Sequence, residues 1–227
     1  MKQNIITLRI PEDASWYAKD FRKAVAKMAD KMSLDIADIF HYDENGQSLN
    51  SKPKCRFFST KNQVGFASES SSKDVARISG PIMMAASSHL GNVDVGMKMF
   101  TREKQAYFSD RPYTYLLTNA VRKARTERWR KMSTQEIVKS LVFNMLNDAV
   151  EDGVLLDMPP ESMINIVVHE HRQGGIDIKS GEYAHLIYAT FSMNIKLEGF
   201  WFAGQLTTRG HGMIHYKDPS QMRGGDE

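Results

Sequence analysis

Apolar and polar residues alternate along residues 4–10 (NIITLRI) as they do in a strand with one buried face, and Trp16, Phe21, Val25 and Met28 then recur near helical spacing, with Asp13 placed to cap that helix. CRFFS and VGFAS, separated by a polar Thr60–Gln63 turn, predict a hairpin. A serine-rich stretch at 68–72 opens a second helical pattern, and VDVGMKMF at 93–100 alternates again. The order is β-α-β-β-α-β, the ferredoxin-like or RRM-like plan in which two helices cover one face of a four-stranded antiparallel sheet.

The second half begins with a strand-like run at 113–117 and continues into a basic segment expected to be helical from about 119 to 131. Ser133 and Glu136 then form a capping-box signature ahead of an apolar stripe of Ile137, Val138, Leu141, Val142, Met145, Leu146 and Ala149. After Pro159-Pro160, INIVVHEH and YAHLIYATFSMNIKL are rich in β-formers, with turns expected at Gly174-Gly175 and Ser180-Gly181. The whole predicts an α+β protein of two ferredoxin-like domains, residues 1–110 and 111–227, with a soft boundary near 105–112 and a mobile tail.

Composition alters this picture only slightly. A hydrophobic share of 41% and a charged share of 25% are those of a globular chain rather than a disordered or fibrous one. No run approaches the roughly 18 apolar residues of a membrane span, and the chain opens on a strand rather than a secretory signal, so the expected setting is cytoplasmic. One cysteine, Cys55, cannot form an intramolecular disulfide or a zinc site of paired cysteines. His169 and His171, two apart on a strand, would share a face, but no second cluster of ligands accompanies them, and neither metal nor cofactor is expected.

Charge is more informative. The net charge is only +3, yet residues 111–131 hold seven cations (Arg111, Arg122, Lys123, Arg125, Arg128, Arg130 and Lys131) against the single acid Glu127. A merely solvated helix mixes its signs for local ion pairing. This one calls for an external anion rather than a merely solvated face: the phosphates of a structured RNA would supply it, and an acidic protein partner is the other reading. A second signal lies at 197–216, LEGFWFAGQLTTRGHGMIHY, where Gly199, Gly204, Gly210 and Gly212 surround Arg209 and His211. Glycines let backbone N–H groups approach an anion, although they equally suit a bent hairpin. Neither dinucleotide nor ATP-binding spacing is present.

The stretch LEGFWFAGQLTTRGHG, together with the upstream YLLTNAVRKARTERWRK, resembles the C-terminal glycine-rich loop and basic helical finger of the repeat-processing endoribonucleases of type IV CRISPR systems, within the RAMP superfamily. That resemblance implies two ferredoxin-like domains, a repeat RNA hairpin as substrate, metal-independent cleavage of precursor crRNA, and retention on the 3′ hairpin among other effector-complex subunits. It places RNA contacts on Arg122, Lys123, Arg125, Arg128, Arg130 and Lys131 and on Gly204, Arg209, Gly210, His211 and Gly212. Because related enzymes often carry the base between the first helix and the second strand, FHYDENG makes His41 the first candidate, with Tyr42 beside it and Tyr17 on the preceding helix. The alternative is a noncatalytic RNA-binding subunit of the same superfamily.

Overall fold

The computed structural model describes residues 1–12, 14–49, 51–91, 96–123, 131–155, 163–178 and 182–217. These divide into two compact units: residues 2–103 with 207–210, and Met1 with 104–206 and the residues from 211 onward. The chain is α+β, with one antiparallel sheet in each unit. Among the described residues no helix is long and apolar enough to cross a membrane.

In the first unit the order is β1 (Lys2–Arg9), α1 (Ala18–Lys31), β2 (Cys55–Thr60), β3 (Gln63–Ser68), α2 (Ser72–Leu90) and β4 (Met97–Glu103). The sheet runs β2-β3-β1-β4, so the first strand is central and pairs antiparallel on both sides. Ile6, Leu8 and Ile10 from β1 and its end meet Phe21, Val25 and Met28 of α1 and Ile78, Ile82 and Ala86 of α2 in one buried cluster. Aromatic packing organises its centre: Phe57 makes edge contacts with Phe21 and Phe66 and stacks on Phe40.

Asp13, the expected cap, lies outside the described residues. Helix α1 starts instead from Tyr17 without a side-chain cap of its own. The first N–H, that of Ala18, is bonded by the Ser59 hydroxyl across the gap to β2. Helix α2 is capped locally, by Ser71 accepting from the Lys73 N–H. The hairpin found for β2 and β3 pairs Phe58 with Gly65, and the ring lies across that glycine: a Cβ there would come within 2.3 Å of Phe58 and 2.6 Å of the Ile6 carbonyl.

The second unit contains β5 (Gln105–Lys123), α3 (Thr134–Glu151), β6 (Ile166–Ile178), β7 (Glu182–Glu198), β8 (Trp201–Phe202) and β9 (Met213–Tyr216), with the sheet ordered β6-β7-β5-β9-β8. The capping box is complete: the Ser133 hydroxyl accepts from the Glu136 N–H, and the Glu136 carboxylate accepts from the Ser133 N–H. All seven residues of the expected apolar stripe are buried, packed with Leu117, Ile187, Phe191 and Ile195.

Three expectations give way here. Residues 119–123 are strand, not helix: β5 carries on through a bulge at Asn119, and Val121, Arg122 and Lys123 pair with Leu186, His185 and Ala184. Helix formers are overridden by a ladder with a partner more than sixty residues away. Gly174 and Gly175 likewise make no turn, since they pair with Leu186 and His185 inside β6; ladder bonds use only the backbone. Finally, a register shift between Val168 and Glu170 separates the two histidines. His169 bonds Ser192, whereas His171, itself exposed, pairs with Ala189 on the opposite face of β7 from Ser192, so they do not share a face.

Gly65→Ala is expected to destabilise the first unit by about 1–3 kcal/mol, because neither the Phe58 ring nor the Ile6 backbone can withdraw. A lowered urea midpoint at unchanged m-value checks this; an unchanged midpoint would show that Phe58 has somewhere else to go.

Candidate functional site

The segment that follows α1 is built to hold two side chains in place. Residues Ala37–Phe40 form a 3-10 turn whose Ile39 and Phe40 are buried, and whose Asp38 is gripped from α2 by a fork of two Arg77 bonds at 2.9 and 2.8 Å. Arg77 also donates to the Asp35 carbonyl at 2.8 Å. The guanidinium holds the Asp38 carboxyl below its ordinary range, first through that hydrogen bond. His41 ends the turn in left-handed backbone (φ 64°), half-buried, its N–H on the Asp38 carbonyl. Tyr42 follows and bridges Ser48, and Asp43 closes the intervening loop by accepting from the Asn45 and Gln47 N–H groups.

Under this segment lies Arg22, on α1. Its guanidinium carbon is 5.2 Å from the Phe40 ring centre and 5.5 Å from that of Tyr42, and Nη2 donates to the Phe40 carbonyl at 3.0 Å. Its Nε is buried with no hydrogen-bond partner among the described residues, so the side chain is held there against a desolvation cost. The Tyr42 phenol is pulled below its ordinary value, chiefly by a hydrogen bond with Arg22, then by the charges of Arg22 and Arg209, and by a weaker bond with Arg209, while partial burial opposes them. Tyr42 is thus a hydroxyl with two cations at hand.

Arg209 arrives from the far end of the sequence. Residues Thr207–Arg209 form a short 3-10 turn that, with Gly210, belongs by its contacts to the first unit. Gly210 (φ +83°) sits so close to the start of α1 that a Cβ would lie 2.2 Å from that of Ala18 and 3.1 Å from the Phe57 carbonyl. Tyr17, the residue before α1, is 69% exposed and lies one position from that contact.

The remaining loop residues belong to the second unit. Gly212 (φ +76°) passes the Ala203 backbone at a distance that excludes any side chain, and Gly204 (φ +95°) does the same against Val121. These two glycines and Gly210 therefore each answer to close packing. His211 bonds the Asn119 carbonyl through Nδ1 at 3.1 Å. A carbonyl only accepts, so Nδ1 carries the hydrogen and the neutral ring keeps its lone pair on Nε2. Tyr188 donates to the Asn119 side chain and lies beneath Arg172, whose guanidinium carbon is 5.0 Å from the ring centre.

The basic stretch is only partly placed. Arg122 lies on β5, half-buried, donating to Ser140 of α3 at 3.2 Å, and burial lowers its pKa. It is not on an exposed helical face as expected. Lys123 is paired within the ladder, Lys131 is exposed just ahead of the Ser133 cap, and Arg125, Arg128 and Arg130 lie outside the described residues. Of the sequence candidates, Tyr42 and Arg209 are brought together, with His41 next to Tyr42 in the chain. Arg22 was missed. No local signal singles it out, since a cation beside the apolar face of an amphipathic helix reads as solvated until Phe40 and Tyr42 are seen to fold over it.

A family model described as the type IV CRISPR-associated endonuclease Csf5 matches residues 1–219. The chain belongs to that family. The solved structure of "Csf5, CRISPR-Cas type IV Cas6 crRNA endonuclease" superposes with a TM-score of 0.75 at 20% identity, covering 96% of this chain and 100% of that one. Two Cas6b crystal structures give TM-scores of 0.63 and 0.57 at 14% and 11% identity, each covering 96% of this chain and 100% of the other. At these identities the likeness speaks for the fold. No curated protein matches in sequence.

In this Csf5-family chain, Arg22→Gln is expected to move the Tyr42 pKa upward toward that of an ordinary tyrosine, and Arg209→Gln to move it in the same direction by less. Carbon NMR of the tyrosine Cζ resonances, assigned with Tyr42→Phe, reads both shifts. A Tyr42 titration indifferent to both substitutions would mean that the cations do not act on the phenol.

Proposed function

We propose that the chain binds the stem-loop of a CRISPR repeat and cleaves precursor crRNA without a metal, by attack of a 2′-hydroxyl on the neighbouring phosphate. The observation that carries this reading is the acidified Tyr42 phenol in the company of Arg22 and Arg209. Such a reaction needs a group to take the 2′-hydroxyl proton, fixed positive charge for the phosphorane, and a proton for the departing 5′ oxygen. Tyr42, as phenolate, takes the first proton. Arg22 and Arg209 stabilise the charge that develops on the phosphate oxygens. His41 gives a proton to the 5′ oxygen, and the products are a 2′,3′-cyclic phosphate and a 5′-hydroxyl. Tyr17, exposed at the start of α1, offers its ring to a base.

The grip on the hairpin falls to Lys123, Arg125, Arg128, Arg130 and Lys131, with Arg122 anchoring the start of that stretch to α3. Gly204, Gly210, His211 and Gly212 shape the loop that delivers Arg209. We read the two domains, residues 1–110 and 111–227, as copies of one ferredoxin-like plan. In support, the order β9-β5-β7-β6 in the second sheet repeats β4-β1-β3-β2 in the first, with β8 added at the edge. The processed RNA stays bound through its 3′ hairpin in a cytoplasmic effector complex with other subunits.

Incubated with its repeat RNA in EDTA, the wild-type protein is expected to cleave once per hairpin, and Tyr42→Phe to slow single-turnover cleavage by about 10²–10⁴-fold with binding little changed. Because the reaction needs Tyr42 as phenolate and a protonated His41 together, the rate follows a bell in pH, and Arg209→Gln moves the limb that Tyr42 sets to higher pH. Full activity in Tyr42→Phe would pass the base role to His41. Binding without any cleavage would favour the noncatalytic subunit instead. Joint alanine substitution of Arg125, Arg128 and Arg130 should reduce the slope of log affinity against log salt by roughly 2–3. An unchanged slope would remove this stretch from the interface.

A further inference from the structure

Beside Tyr42 the first unit contains a pocket of about 370 Å³, bounded by α1 and the segment that follows it. This volume lies at the low end of the roughly 300–1,000 Å³ typical of ligand sites, a size suited to one small planar group. Arg22 and Tyr42 line it, Ile36 and Phe40 contribute buried apolar wall, and the exposed Asp30 and Asp35 stand among the lining residues. Neither aspartate side chain has a hydrogen-bond partner among the described residues, although the Asp35 carboxylate feels the charge of Arg77. The site therefore joins guanidinium donors, an apolar wall and carboxylates that can only accept.

Few neutral, planar groups answer that combination. Free carboxylates repel a phosphate, so the pocket does not suit the backbone of a nucleic acid. They suit a base edge that presents adjacent N–H donors. Guanine has two side by side, at N1 and N2, whereas adenine and cytosine set a ring acceptor next to their amino group and uracil sets its N–H between two carbonyls. Guanine's O6 and N7 are in turn the acceptors that arginine most often recognises. Its ring faces can lie on the apolar wall, as unpaired bases do in proteins that read single-stranded RNA.

We propose that this pocket takes one unpaired guanine of the RNA, read by Asp30 and Asp35 at N1 and N2 and by Arg22 at O6 or N7. The assignment builds on the RNA-processing reading above and supplies it with a specificity element. Because Arg22 and Tyr42 belong both to the pocket and to the proposed reacting centre, a guanine seated there sets the register of the adjoining phosphate against Tyr42. The base is thereby selected next to the bond to be cut.

The test uses GMP and AMP as probes of the full-length protein, compared by calorimetry or saturation-transfer NMR. Their phosphates are identical, so any difference reports the base. GMP is expected to bind about tenfold more tightly than AMP, and the Asp30→Asn/Asp35→Asn double variant to abolish that preference. Both residues are exposed and the changes nearly isosteric, so the variant should fold, which circular dichroism checks. Equal affinity for the two nucleotides, or a GMP preference that survives in the double variant, overturns the proposal. In parallel, repeat RNA carrying inosine at each unpaired guanine in turn is assayed for cleavage, and one position should lose about tenfold in the wild type but not in the double variant. A GMP preference without RNA cleavage would sink the nuclease reading and leave the pocket standing. Cleavage with no GMP preference would do the reverse.

Discussion

Position 210 has no room for a side chain. With φ at +83° and the Cβ of Ala18 and the carbonyl of Phe57 immediately opposite, only glycine lets residues 207–210 settle on the beginning of α1. The arrangement at Tyr42 follows from that contact. Arg209 is the preceding residue, and its charge reaches the Tyr42 phenol from a sequence distance of 167 positions. Arg22 comes from α1 itself, so helix and loop are fastened together at one end and deliver their cations to a single hydroxyl. The Arg77–Asp38 fork then fixes the intervening turn from α2.

Much of this was legible in the sequence, for identifiable reasons. The helix-facing positions of β1 to β3 recur at every second residue (Ile6, Leu8, Ile10; Cys55, Phe57; Val64, Phe66) because that face meets the helices, and the α3 stripe reads well because its cap and all seven apolar positions agree. Local signals that reinforce one another survive folding. The resemblance of the loop and the basic segment likewise pointed to the family that residues 1–219 match. What could not be read was set by long-range pairing. Nothing local distinguishes residues 119–123 from a helix; the β7 ladder decides, and its partner residues lie at 184–187.

The site was half visible for a related reason. Tyr42 and Arg209 stood in segments already conspicuous for histidine, tyrosine and glycine. Arg22 stood in an ordinary amphipathic helix, and its role appears only when Phe40 and Tyr42 fold over it. The glycines show the opposite effect. Composition suggested an anion cradle, and what the structure adds is that Gly204, Gly210 and Gly212 are each required by a close approach of backbone or Cβ. What the loop brings to Tyr42 is one arginine.

The position of Arg209 in the chain also dictates when that arrangement can exist. Synthesis runs from the N-terminus, and the sheet and helices of the first unit are encoded by residue 103, yet the turn that completes the unit is encoded at 207–210 of 227 residues. At about 5–20 residues per second, the first sheet is available for several seconds before Arg209 is made. A chain interrupted anywhere in that interval has α1, Tyr42 and Arg22 but lacks the second cation. Assembly of the arrangement is thus withheld until synthesis has passed Arg209, so a chain released before that point cannot carry it in full.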